Sequence, residues 1–419
     1  MIAAFGAEQT ITVAGPIAWA AVALLMLAAF FFTRRHPGGG LGLVIAALPL
    51  YQVRGTLGGS LGIPGLPDIP TTLLELLLGA VVLGLLSRWP AIKPRRSPYD
   101  LWLGLWVGGS LLAALLAPDR MQALGLWRAF FLEPAVFFVA AQAVFRKESP
   151  RPIAYGAGAA ILITALWTGA LALGAGTALS YDGRLTGPFQ SANFLAHLGV
   201  PLALLLIGWP ERLSPLVRYV PVLTALLLLA GSQSRGGLLA LAIGGSVLLA
   251  VRRGGKRLRQ GAVLAAAVAL VILGAFTLIE RNDRFSTRST LWGTAAEVVR
   301  ERPLLGAGPE HFQDEVRRRM GGDDELRRFV IPRAPDAHNV FLVTWTEWGL
   351  LTFLGLLGLL GTAIRLLVTR RDAWVPVVAA MGAAIIAHGL VDTPILKNDL
   401  ALIFMVVLLL TALPKRRAS

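Results

Sequence analysis

Apolar residues in this chain are gathered into long blocks, and the blocks are separated by short turns rich in arginine, glycine and proline. A soluble protein of this size would spread its apolar positions more evenly. Many of the blocks reach the roughly 20 residues that a helix needs to cross the hydrocarbon core of a bilayer. Backbone polar groups in lipid must be satisfied within the segment, which selects helices. The pattern predicts an all-α integral membrane protein with about thirteen (twelve to thirteen) transmembrane helices, at about 15–33, 41–53, 71–87, 100–117, 124–145, 153–174, 191–209, 216–231, 236–251, 260–279, 338–364, 374–391 and 399–413. The block at 41–53 is short and has glycine and proline nearby. The first block runs straight into Arg34 and Arg35 and shows no small-residue cleavage site, so it reads as a retained helix.

Basic residues fall in alternate turns: Arg34/Arg35, Arg88 to Arg96, Arg146 to Arg151, Arg212/Arg218, Arg252 to Arg259, Arg365 to Arg371, and the tail Lys415 to Arg417. Positive charge is retained on the cytoplasmic side, so these turns face the cytoplasm, the N-terminus lies outside and the C-terminus inside. The opposite side receives 280–337, the longest polar segment. The chain thus divides into an N-terminal bundle (1–279), an arginine-rich helical loop (280–337) and C-terminal helices (338–419), forming one integrated membrane domain.

Composition narrows the chemistry. The 419 residues are 55% hydrophobic and 15% charged, and the net charge of +15 lies largely in these turns, which argues for a membrane partner and against nucleic acid. With no cysteine, disulfides and thiolate chemistry are excluded, and five histidines remain as bases or ligands. The outward acidic residues lack a recognisable divalent-metal spacing, so no metal and no cofactor are expected.

Segment 280–337 contains eleven arginines and no lysine. Arginine presents a rigid fork to phosphate oxygens; the alternative is that these arginines pair with the acidic residues of the same segment. Arg288 to Arg302 reads as an amphipathic helix with Leu291, Ala295, Val298 and Val299 on one face, ended by Pro303, Gly306 and Gly308, and a second polar helix is expected over 310–319.

His338 follows Pro335 and Asp336 and opens an apolar helix, with Asp336 as the expected N-cap. A helix N-terminus disfavours imidazolium, and a neutral imidazole at the outer boundary can accept a proton from a hydroxyl. The competing role for His338, and for its neighbour Asn339, is to cap their own helix. Arg235 stands in Gly231-Ser-Gln-Ser-Arg-Gly-Gly237 between apolar blocks, either as part of a site or as an arginine snorkelling to the interface. Asn193 and His197 share a helix face, as do His388 and Asp392. Arg128, Glu133 and Glu75 fall within or at the ends of apolar blocks, where ionisable groups are functional candidates by default.

Five segments together resemble the O-antigen ligase and polymerase superfamily: Gly187-Pro-Phe-Gln-Ser-Ala-Asn193, Ser234-Arg-Gly-Gly237, Pro303-Leu-Leu-Gly-Ala-Gly308, His338-Asn339 with Glu347-Trp-Gly349, and His388 with Asp392. The likeness covers about 180–395. It departs at Ser191, where the pattern has an asparagine, and in the thirteen helices where twelve are more usual. The resemblance implies a GT-C-like, metal-independent, inverting glycosyltransferase of the bacterial inner membrane that moves a glycan from undecaprenyl pyrophosphate to a sugar hydroxyl of lipid A-core at the periplasmic face. It implies His338 as the base and Arg235 and Arg288 as the pyrophosphate clamp, with Arg184, Asn193, Arg302, Asn339, His388 and Asp392 in support. Within the superfamily, a polymerase of O-antigen or exopolysaccharide has another lipid-linked glycan as its acceptor, and a protein O-oligosaccharyltransferase is disfavoured by the short tail 412–419. From another class, a lipid-linked sugar transporter would use the same charges as a pathway, but no internal repeat is visible.

Overall fold

The computed structural model describes residues 11–57, 69–174, 178–180, 182–253, 284–319 and 336–414. Eleven of the thirteen predicted apolar blocks coincide with helices, the block at 41–53 does so only in part, and the block at 260–279 lies outside the described residues. The helices are α1 (Pro16–Arg35), α2 (Pro37–Ala46), α3 (Leu73–Leu86), α4 (Asp100–Leu116), α5 (Arg120–Phe145), α6 (Arg151–Gly174), α7 (Ala192–Gly208), α8 (Pro215–Ser232), α9 (Arg235–Arg253), α10 (Arg284–Glu301), α11 (Phe312–Arg319), α12 (Val340–Thr369), α13 (Val375–Gly389) and α14 (Asn398–Ala412). Six of these are long and apolar enough to cross a membrane, and six more are apolar but shorter. Large apolar side chains point outward from the bundle, including Ile17 at 86% and Leu173 at 92% exposure. In water such a surface would drive association; in lipid it is the solvated face.

The predicted helix at 41–53 is corrected. Helix α2 ends at Ala46 and a 3₁₀ turn spans Leu48–Gln52, with Pro49 in its first turn. At 1.5 Å per residue, α2 covers about 15 Å, half the hydrocarbon thickness, and does not cross by itself. The chain then enters a small sheet that hydrophobic blocks alone did not reveal. Strand β2 (Val53–Leu57) pairs in parallel with β1 (Ile11–Thr12) and antiparallel with β3 (Ile69–Thr72).

Helix α14 is the central post. Every residue from Asp399 to Thr411 is buried, as expected for a helix that is apolar all round. Its C-terminal carbonyls receive the Arg370 guanidinium, which donates to the carbonyl of Leu413 at 2.9 Å and pairs with Asp372 at 2.6 Å. Small residues let the helices around it approach closely. A Cβ on Gly355 of α12 would meet the Trp106 backbone of α4 at 2.5 Å, and one on Gly244 of α9 would meet the Ala380 carbonyl of α13 at 2.9 Å. The beginnings of α7, α9, α12 and α14 thereby meet the ends of α8 and α13.

Between α9 and α12, α10 packs Leu291 and Ala295 against Phe312 and Val316 of α11 and Ala337 and Val343 of α12's approach and first turns; of the rest of the predicted face Val298 is buried and Val299 half-buried. The described arginines of α11 pair largely with neighbouring acids: Arg318 with Glu315 at 2.6 Å, Arg319 with Glu301 at 2.6 Å and Arg317 with Asp314 at 3.2 Å. Arg302 likewise meets Glu315 at 3.2 Å. For these four, the reading as internal ion pairs is the one observed.

The connecting Pro303–Gly308 turn docks into a kink of α12. Ala307 N–H donates to the Thr346 carbonyl at 2.6 Å, and Leu350 N–H to the Leu304 carbonyl at 2.9 Å. Both sides of this junction need glycine. Gly306 and Gly349 have φ of +70° and +78°, and a Cβ on Gly306 would sit 2.1 Å from the Thr346 carbonyl oxygen. We therefore expect Gly306→Ala to lower stability by about 1–3 kcal/mol or more, read as the unfolding midpoint in detergent; an unchanged midpoint would show that the turn is not pinned to α12.

Burial pushes the Glu315 carboxyl up, but hydrogen bonds and charge from Arg318, Arg319 and Arg302 outweigh it and hold the group below its ordinary value of 4.5. A depressed folded-state value means that the carboxylate contributes stability above the unfolded value and loses it as pH falls through the folded one. The protection factors of α11 amides, corrected for the intrinsic pH dependence of exchange, should accordingly be high at neutral pH and fall on acidification below about 4.5; Glu315→Gln should remove that acid response, and an identical response in both proteins would exclude the ion-pair cluster as its source.

Candidate functional site

The polar groups singled out in the sequence converge where α14 begins, and a single carboxylate connects them. Asp392 follows α13 and is buried, 7% exposed. One of its oxygens, Oδ2, accepts the Asn193 side-chain amide at 2.8 Å and lies 3.7 Å from His197 Nε2. The other, Oδ1, accepts the Thr393 backbone N–H at 2.9 Å and lies 4.0 Å from His338 Nδ1. The predicted shared face holds for Asn193 and His197, one turn apart on α7 and both facing Asp392, but not for His388 and Asp392, because α13 ends at Gly389 and Asp392 lies beyond it. His388 joins them with its ring edge-on to His197, centroids 3.8 Å apart.

Asn193 is fully engaged. Its side-chain carbonyl accepts from Arg184 Nη2 at 3.1 Å and from Ser234 Oγ at 3.0 Å while its amide faces Asp392, an arrangement that fixes which end is oxygen. Arg184 also donates to the Ser232 carbonyl at 2.9 Å, tying the turn before α7 to the α8–α9 junction. Ser191, the departure from the resembled pattern, is the N-cap of α7 and accepts the Asn193 N–H at 3.3 Å.

His338 differs from expectation in one respect. It does not lie in the first turn of α12, and Asp336 is not the cap. Asn339 is the N-cap, its side-chain oxygen accepting the Phe341 and Leu342 amides, and its amide donates to the Leu390 carbonyl at 3.0 Å, fastening α12 to α13. Asparagine caps well because its carbonyl reaches the unpaired N–H groups of the first turn. His338, just ahead of the cap, takes a left-handed φ of +46°, unusual for a residue with a side chain. Asp336 stabilises that turn, accepting the His338 backbone N–H at 2.6 Å, and it lies 3.3 Å from His338 Nδ1. Burial pushes the Asp336 carboxyl above the usual range; His338 opposes that shift and the Asp392 charge reinforces it. Nδ1 thus faces two carboxyl groups, and the side chain is 28% exposed.

The arginines lie on the flanks. Arg235 opens α9 with an exposed side chain, and the adjacent Gly236 packs against the His388 ring. Arg288, half-buried on α10, lies within electrostatic range of His388. One turn further along α10, Trp292 Nε1 donates to the Ala337 carbonyl at 3.0 Å, which anchors the helix beside the His338 turn. Arg302 belongs instead to the Glu315 ion-pair group. Glu75, Arg128 and Glu133 form a separate cluster, with Arg128 at 2.8 and 3.2 Å from the two carboxylates, in a π-helical stretch of α5.

Ser234, Thr393 and Lys397 were not singled out in the sequence. Ser234 and Thr393 adjoin residues that were, whereas Lys397 lies in a turn with no motif around it. The Lys397 ammonium sits over the Phe194 and Tyr51 rings at 3.5 and 4.2 Å, within reach of Asp399 at 4.0 Å.

Residues 220–357 match the family model described as O-antigen ligase. That match supports the O-antigen ligase superfamily. It contains Arg235, Arg288, His338 and Asn339; Arg184, Asn193, His388 and Asp392 lie outside it and reach it through the contacts above. An uncharacterized protein of Haemophilus influenzae is 23% identical over 235 residues, 49% of this chain, and the match spans 58% of that relative's length. Superfamily members are glycosyltransferase-like ligases and polymerases, which supports an enzyme in general terms, and the apolar helices agree with a multi-pass membrane protein.

Removing the Asn193 side chain should leave Ser234, Arg184 and Asp392 short of a partner. We expect Asn193→Ala to cost about 1–3 kcal/mol of stability, measured as a lowered unfolding midpoint; a midpoint equal to that of the parent protein would mean the network is not coupled as described.

Proposed function

We propose that the protein is an O-antigen ligase-like glycosyltransferase, moving a glycan from undecaprenyl pyrophosphate to a sugar hydroxyl of lipid A-core at the periplasmic face of the bacterial inner membrane. The observation that carries this reading is the His338 ring, held in a left-handed turn with Nδ1 toward Asp336 and Asp392, inside the segment that matches O-antigen ligase. The positive-inside distribution of basic turns supports the orientation, with the N-terminus outside and the site toward the periplasm.

In this reading His338 Nε2 removes the proton of the acceptor hydroxyl as its oxygen forms a bond to the anomeric carbon from the face opposite the leaving group. The bond from that carbon to the pyrophosphate oxygen breaks, the configuration inverts, and the pyrophosphate departs on its lipid. Asp336 and Asp392 orient the ring and stabilise the imidazolium that forms. Arg235 and Arg288 bind the pyrophosphate and offset the charge it gains, so the chemical step calls for no metal. Arg184, Asn193, Asn339 and His388 hold these groups in place.

His338→Ala in reconstituted, folded protein should reduce transfer from lipid-linked glycan by about 10²–10⁴-fold. Arg235→Lys should also lose most activity, because an ammonium does not reproduce the bidentate fork. Transfer by His338→Ala at the parent rate would reject the base assignment, and absence of transfer by the parent protein itself would favour a transporter. Supplying lipid A-core or a second lipid-linked glycan as acceptor separates ligase from polymerase by which one is extended.

A further inference from the structure

His197 and His388 take no part in the proposed proton transfer, and with the far side of Asp392 they form a second constellation. Donor atoms from the three side chains all lie within 4.8 Å of one another. Both rings are 2% exposed. Among the described residues, neither ring nitrogen of His197 and not Nε2 of His388 has a hydrogen-bond partner. Buried imidazole nitrogens are ordinarily paired, and each neutral ring has one nitrogen whose lone pair an unseen ligand can accept. Gly236 keeps that space open, since a Cβ there would stand 2.7 Å from His388 Nε2.

We propose that these three residues bind a zinc-class transition-metal dication that clips α7 to α13. Two imidazoles and one carboxylate, with a water as the fourth ligand, are a donor set suited to zinc, and a small inward movement of the rings brings the donors to its bonding distance of about 2.0–2.2 Å. Two of the three donors are imidazole nitrogens, which selects against calcium and magnesium, cations that take mainly oxygen ligands. The two faces of Asp392 separate the roles: Oδ2, with Asn193 behind it, points to the histidine pair, and Oδ1 points to His338. The ion therefore touches Asp392 without touching His338, and fixes the carboxylate that orients the ring.

The test uses tag-free full-length protein in nanodiscs, stripped with a chelator and titrated with Zn²⁺ alone. We expect one equivalent per chain retained through gel filtration, with affinity about 100-fold weaker in His197→Gln and in His388→Gln. Co²⁺ in its place should give visible absorption bands of a tetrahedral nitrogen–oxygen site, lost in both variants and kept in a His36→Gln/His311→Gln double variant. Substoichiometric uptake, absence of those bands in the parent protein, or their loss in the double variant would each overturn the proposal. The parent Co²⁺ spectrum decides even if a pocket variant fails to fold.

Discussion

A buried carboxylate must have its lone pairs met, and Asp392 meets this demand by drawing together parts of the chain that are far apart in sequence. Asn193 comes from the start of α7 and His338 from the turn before α12, while the adjacent Thr393 N–H meets a further lone pair. Asn193 in turn holds Ser234 and Arg184, so the constraint passes on to the α8–α9 junction. Removing this one charge would leave four helix ends without a reason to meet in that register. The left-handed backbone at His338 depends on the same arrangement, because strain of that kind persists only where its surroundings over-determine it.

The bilayer explains why so much polar chemistry is gathered at one level. A helix bundle in lipid gains little from burying leucine against leucine, so close approach through small residues and paired polar groups does more of the specifying. Here Gly244, Gly355 and the Gly306–Gly349 junction set the spacings, and α14 supplies an apolar post from Asp399 to Thr411 around which the site-bearing ends are arranged. The arginine-rich segment adds a lid-like pair of helices whose charges are mostly spent on one another. Arg288, on α10, instead lies within electrostatic range of His388, and Trp292 anchors that helix beside the His338 turn.

Most of the helical architecture was legible because a period of long apolar blocks has one physical solution in lipid. The sheet of β1, β2 and β3 was not, since strands of two to five residues leave no periodicity to detect. At the site, the pair Asn193/His197 was readable from helical spacing, whereas Asp392 lies in the turn beyond the end of α13 and meets His388 through that turn, and that the groups meet each other is a tertiary fact. The cap of α12 was misassigned by three residues: Asp336 and Asn339 are both good capping residues, and only the backbone turn at His338 decides between them. Lys397 left no trace in the sequence, because what stabilises it is three aromatic rings contributed by distant segments.

An experimental structure of the protein in a lipid nanodisc, with side chains resolved at the start of α14, tests the central claim most directly. The account predicts the Asp392 carboxylate bridging Asn193 on one oxygen and facing His338 on the other, within about a hydrogen bond's reach or one small side-chain adjustment of it. Asp392 turned away from both, with His338 facing the lipid, would contradict it.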